Sequence, residues 1–201
     1  MPSRFQKSND LIEGMIIGGN LLFLAVVIGW DWPMWWVNIN YEKGALTWFS
    51  SIQLWTIAIV SLHLALRHQA RIWYAMAFGF FLFSFDERFQ FHERLRDLFL
   101  KPHGIGTHLP GIHPGDFLLL VVAGVGLGLS KFLWKELEKK GRVFFAIGVS
   151  VALVSVLLDA LDISINNETL RALQFTEEIL ETFAQMFFLL AFSSQVWREA
   201  K

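Results

Sequence analysis

Six predominantly apolar stretches, each about 20 residues long, alternate along the chain with short polar breaks. They cover about 11–30, 45–66, 72–91, 116–134, 143–163 and 176–197. An α-helix rises about 1.5 Å per residue, so about 20 residues cross a hydrocarbon layer roughly 30 Å thick. The pattern therefore predicts an all-α, polytopic membrane protein: a six-transmembrane-helix bundle forming a single integral membrane domain over residues 1–201. The breaks suit their positions. Residues 38–44 are polar, 102–115 are rich in Pro, Gly and His, and 135–142 are densely charged. Pro114-Gly115-Asp116 is expected to form a turn followed by a helix N-cap. The first block lacks a small-residue cleavage site and five more follow it, so it reads as a retained helix and not as a signal peptide.

Composition agrees with this partition. Of 201 residues, 54% are hydrophobic and only 17% charged, whereas soluble domains carry about 25% charged residues. The net charge of −1 gives no basic field, so nucleic acid is not an expected partner; the lipid bilayer is. Cysteine is absent, which removes disulfides, thiolate metal sites and cysteine nucleophiles. Eleven of the 17 Lys and Arg residues fall on the side of the N-terminus, with most of the excess in the loop between spans 4 and 5. This bias predicts cytoplasmic N- and C-termini. Trp30, Trp32, Trp35 and Trp36 then sit at the outer boundary, as an interfacial aromatic belt does. Short loops and the lack of cysteine fit a bacterial inner membrane. Gly14 and Gly18, and Gly124 and Gly128, have the small-xxx-small spacing that permits close helix packing.

Ionisable residues inside a span cost at least about 2.5–3.5 kcal/mol and need a partner or a purpose. Three spans carry them, each at its outer end. At about 100° per residue, Asp86, Gln90, Glu93 and Asp97 form one stripe on span 3. Ser155, Asp159, Asp162 and Asn166 form another on span 5. Arg171, Gln174, Glu178, Glu181 and Gln185 form a third on span 6, with Glu177 beside it. Depth aligns them. Asp86 lies about 21 Å and Asp159 about 24 Å from the inner end of its span, and Glu178 and Glu181 fall in the first two turns of span 6. Helices that hide polar groups from lipid are expected to turn these stripes toward one another. The loop histidines His103, His108 and His113 lie on the same side. His63 lies at the opposite one.

A cluster of carboxylates with imidazole suits a divalent metal such as Zn, Fe or Mn, whose charge offsets mutual repulsion in a low dielectric. The candidate ligands are Asp86, His92, Glu93, Asp159, Glu178 and Glu181. On an ideal helix His92 points about 120° away from Asp86, so its participation requires the helix to end or bend there. The expected chemistry is metal-bound water attacking an ester or amide of a lipid-like substrate, with Glu178 or Glu93 as general base. The alternative is a non-enzymatic membrane subunit or assembly partner whose carboxylates form a structural ion-pair network with Arg88, Arg94, Arg96 and Arg171. In that reading Glu87 and Asp97 are solvated at a helix end. Ion or proton translocation would need polar groups continuing inward, and Asn20, Gln53 and Glu13 are few and scattered.

The run Asp86-Glu87-x4-His92-Glu93, followed by Glu177-Glu178-x2-Glu181, resembles a group of uncharacterised bacterial multi-pass membrane proteins. In that group a DE-x4-HE element closes one span and a Glu-rich element opens the last. The resemblance covers spans 3 to 6 and implies a shared site without a known activity. The H-x3-H pair of the alkaline ceramidase and adiponectin-receptor group is missing. So are the paired E-x2-H motifs of ferritin-like di-iron proteins, the H-E-x2-H zinc motif and the G-x-S-x-G element.

Overall fold

The computed structural model describes residues 4–30, 44–100, 102–104, 117–160 and 167–196, with side chains at all of these but 4–7, 30, 117–119, 159–160 and 167–172. Among the described residues every regular element is helical. The helices are α1 (Arg4–Trp30), α2 (Ala45–His68), α3 (Arg71–Phe89), the short α4 (Phe91–Leu95), α5 (Phe117–Glu136), α6 (Lys139–Ala160) and α7 (Asn167–Val196). A five-residue π-helix, Arg96–Leu100, continues α4.

Among the described residues four helices are long and apolar enough to cross a membrane, not six: Ser8–Gly29, Ala45–His68, Lys139–Leu158 and Leu173–Val196. Span 3 falls short for a physical reason. Asp86, Glu87 and Arg88 crowd the last turn of α3, and Gln90 in the left-handed region (φ 55°) ends the helix inside the predicted span. α5 is a 20-residue apolar helix as expected, but its first three side chains are outside the described set. α7 begins at Asn167, nine residues before the predicted start. The Pro114-Gly115-Asp116 turn and the Trp30 to Trp36 belt lie outside the described side chains.

The bundle is organised around α7, which packs against α1, α2 and α6, while α2 and α3 form an antiparallel pair. That pair is closed by a tight corner. Gln69 adopts φ 55° and returns its backbone N–H to Ala65 O at 2.9 Å. Non-glycine residues pay about 1–2 kcal/mol for this conformation, so packing must hold the corner. It does. Trp73, one turn into α3, is 1% exposed and meets Phe192 of α7 edge-to-face at 5.1 Å. Leu64, Leu133, Leu137 and Phe145 complete this cluster from α2, α5, the α5–α6 corner and α6. All of it lies at the end of the bundle where α1 starts and α7 stops, here called the terminal end.

Polar contacts close the same end. Lys140 Nζ is 2.6 Å from the buried Glu13 carboxylate, joining α6 to α1. Gln195 Oε1 accepts the Glu138 backbone N–H at 3.2 Å, ahead of α6, and Arg67 Nη1 donates to the Val196 carbonyl. Close approach of α6 and α7 depends on Gly141 and Gly148. A Cβ at Gly141 would meet Gln195 Nε2 at 2.5 Å and the Ala191 carbonyl at 3.2 Å; at Gly148 it would meet the Phe187 and Phe188 side chains at 3.1–3.2 Å. The small-residue pairs expected to allow packing, Gly14/Gly18 and Gly124/Gly128, face open space instead. Large apolar side chains such as Met15, Phe78, Val125 and Phe132 are exposed on the outside of the bundle. An apolar exterior of that extent marks a surface that meets lipid or protein.

Candidate functional site

Three consecutive charged residues end α3, and helical geometry sends them about 100° apart. Each enters a different environment. Asp86 turns toward the helix break. Because Gln90 reverses the backbone, the chain re-enters helix at Phe91 with His92 folded back over the end of α3. Asp86 Oδ2 then lies 2.6 Å from His92 Nδ1, and Oδ1 accepts the His92 backbone N–H at 2.8 Å. Both side chains are partly exposed, 27% and 29%. A carboxylate on Nδ1 fixes ring orientation and tautomer, leaving Nε2 as the nitrogen not committed to Asp86. The condition for His92 to join Asp86, a bend at this point, is met by Gln90.

Glu87 turns inward. It hydrogen-bonds Ser50 of α2 and lies within electrostatic reach of Glu178 and Glu181 of α7. Ser50, 2% exposed, also accepts a hydrogen bond from Gln185 Nε2, one turn beyond Glu181. The chain Glu87–Ser50–Gln185 thus ties α3, α2 and α7 together beneath the acidic groups. Thr182, 1% exposed, satisfies its hydroxyl on the Glu178 carbonyl at 3.0 Å, and Ser155 of α6 donates to the Glu177 carbonyl at 3.4 Å. Glu178 and Glu181 are therefore positioned by a helix anchored on two sides.

Arg88 turns toward α2. Its guanidinium lies 4.3 Å from the centroid of the Trp48 ring, within cation–π range. Arg96 meets its neighbour Asp97 at 3.3 Å on an exposed surface. Among the described residues neither Arg88 nor Arg94 is paired with a carboxylate. The Arg171 side chain is outside the described set.

The structure thus brings two groups of site residues together: Asp86 with His92, and Glu178 and Glu181 with Glu87. Glu93 follows His92 on α4 and is partly buried. The Asp159 side chain, Asp162, His108 and His113 lie outside the described residues. His103 Nδ1 is 2.7 Å from the Phe99 carbonyl in an exposed loop, and His63 is exposed toward the terminal end. Among the described residues no three His, Asp or Glu side chains close around one point in metal-ligand geometry.

Glu87 is the residue that sequence reasoning set aside. A stripe drawn through Asp86 passes its neighbour by about 100°, and that neighbour faces the bundle. The usable signal was the adjacent pair itself: about 100° of rotation separates Asp86 from Glu87, so the two meet different surroundings. Farther toward the terminal end, Gln53 Nε2 donates to Asn20 Oδ1 at 2.7 Å in a buried pair joining α2 and α1. No curated protein and no solved structure matches the chain. A family model does match, over residues 9–196, and the chain belongs to that family, a domain of unknown function (DUF8692).

Proposed function

We propose that this is an integral membrane protein that binds a divalent cation in the glutamate cluster at the outer face of the bilayer and hydrolyses a lipid-like substrate there. One observation carries the reading: Glu87 of α3 lies within electrostatic reach of Glu178 and Glu181 of α7, although among the described residues the three do not close around one point and would have to draw together on an ion. Two unit charges about 4 Å apart repel by about 4 kcal/mol at an effective dielectric of about 20. A divalent cation bound among acids on neighbouring helices lowers their mutual repulsion. Oxygen donors, with the Ser50 hydroxyl beside them, suit a hard divalent ion, and recruitment of His92 would extend the choice to Zn, Fe or Mn.

The chemistry follows from the neighbours. A cation held by Glu87, Glu178 and Glu181 would supply activation of a water molecule. His92, oriented by Asp86, or Glu178 takes the water proton as the oxygen attacks an ester carbonyl, and returns it to the leaving alkoxide. The Lys and Arg bias supports placing this end at the outer leaflet, with both termini cytoplasmic. The ion-pair alternative is disfavoured by Arg88, which lies on Trp48 and not on a carboxylate.

Elemental analysis of protein purified in detergent without a metal-affinity tag tests the reading. About one divalent ion per chain is expected, reduced at least tenfold in Glu87→Gln and Glu178→Gln. Wild-type protein that carries no ion, and shows no change in melting temperature when Mg, Ca, Mn or Zn is added, would end the proposal.

A further inference from the structure

A second feature at the same end lies outside the glutamate cluster. A groove of about 240 Å³ runs between α2 and α3, lined by Ser51, Ile52, Trp55, Ser84, Phe85, Arg88 and Phe89. Its floor is sealed by reciprocal hydrogen bonds: Ser51 Oγ donates to the Ser84 carbonyl and Ser84 Oγ to the Ser51 carbonyl, each at 2.9 Å. Its walls are aromatic. Trp55 and Phe81 lie 5.1 Å apart by ring centroids, Phe81 and Phe85 4.8 Å, and Phe85 and Phe89 5.8 Å. Arg88, the one charged residue in the lining, stands at the upper end, nearest the helix break. Its Nη1 is enclosed and has no hydrogen-bond partner among the described residues.

We infer that this groove seats a membrane phospholipid, with the phosphate on Arg88 and an acyl chain along Ile52, Trp55 and Phe85. Charge complementarity selects the headgroup. The enclosed Nη1, without a hydrogen-bond partner among the described residues, is a donor to spare, and Arg matches phosphate in a bidentate fork. The apolar walls select the remainder. Ile52, Trp55, Phe85 and Phe89 are all exposed, so the groove opens sideways, as an acyl chain lying against a bundle requires. Depth is consistent with both. Trp55 is ten residues into α2, about 15 Å below its start, while Arg88 is in the last turn of α3. A phosphate at the interface and a chain reaching toward the midplane match that span. The inference does not depend on a metal at the glutamates.

Native mass spectrometry of the full chain in detergent tests it, with dioleoyl phosphatidylglycerol, dioleoylglycerol and inorganic phosphate as probes. The phospholipid is expected to remain bound, with at least tenfold higher occupancy than dioleoylglycerol, and inorganic phosphate is expected not to displace it at equal concentration. Arg88→Gln is expected to lower phospholipid occupancy at least tenfold. Ile52→Trp, which fills the apolar part and leaves Arg88 in place, is expected to do the same, so the test survives if one variant fails to fold. Equal occupancy by dioleoylglycerol, displacement by inorganic phosphate alone, or wild-type occupancy in the folded variants would overturn the inference.

Discussion

The two ends of the bundle solve opposite problems. At the terminal end, Trp73, Phe192, Leu64, Leu133 and Leu137 pack at 0–1% exposure, and the charged group that is buried there, Glu13, has Lys140 against it. At the carboxylate end, Glu87 hydrogen-bonds Ser50 within electrostatic reach of Glu178 and Glu181, and the Arg88 guanidinium lies on the Trp48 ring. One end is mainly apolar packing; the other gathers acids on neighbouring helices. In lipid, helices gain no transfer free energy from associating, because acyl chains are as apolar as leucine. Association then depends on close packing, and the larger buried cluster lies away from the acids, with a smaller one of Leu24, Val27 and Leu46 nearer to them. The repulsion at one end is tolerated because the other end holds the helices in register.

If that division is correct, the largest losses of stability come from the terminal end. Trp73→Ala removes the ring that joins α2, α3 and α7. Core Trp or Phe to Ala changes in soluble proteins cost about 3–5 kcal/mol, and the lower end applies because lipid removes much of the transfer contribution. A loss of about 3 kcal/mol, read by thermal unfolding in detergent, is expected; a loss below about 1 kcal/mol would show that this end does not hold the bundle. Gly148→Ala comes next. Its new methyl meets the Phe187 and Phe188 side chains at 3.1–3.2 Å, and overpacking of this kind costs about 1–3 kcal/mol. Gly124→Ala serves as its control. It faces open space and is expected to stabilise α5 slightly through helix propensity. Equal effects at the two glycines would remove the distinction between them.

How legible this was depends on which residues carried each feature. Apolar block length is a one-dimensional property, so the all-helical class and the positions of α1, α2, α6 and α7 could be read directly. The acids of α3 and α7 were also legible as a layer, because depth in a helix is a linear function of residue number. What periodicity could not supply was rotation about each helix axis. Asp86 and Glu87 have nearly the same depth, and only the packing of α2 decides which one faces Ser50. Nor does the sequence around Gln90 carry a glycine or proline to announce the break. A glutamine takes the left-handed conformation there, and that conformation converts a 120° separation of Asp86 and His92 into a 2.6 Å contact. The glycine motifs failed for a related reason: spacing identifies a smooth helix face but not a neighbour to meet it, and the neighbour stands at Gly141 and Gly148.

The smallest effects sharpen the comparison most, because they differ in sign. Glu13 and Glu181 are both glutamates on long apolar helices, one at each end. Glu13→Gln removes the acceptor of Lys140, whose side chain is about half exposed, so the pair is worth no more than about 1 kcal/mol after solvent screening. Its loss is expected to lower the melting temperature slightly. Glu181→Gln keeps the shape of the side chain and withdraws one of the negative charges that act on Glu87, which relieves repulsion. In metal-depleted protein the melting temperature is therefore expected to stay level or rise by the equivalent of less than about 1 kcal/mol. The comparison is made at neutral pH in chelator, with both variants in one detergent. A fall at Glu181 as large as that at Glu13 would mean that its carboxylate is a partner holding the bundle together. The carboxylate end would then be a structural layer like the terminal one.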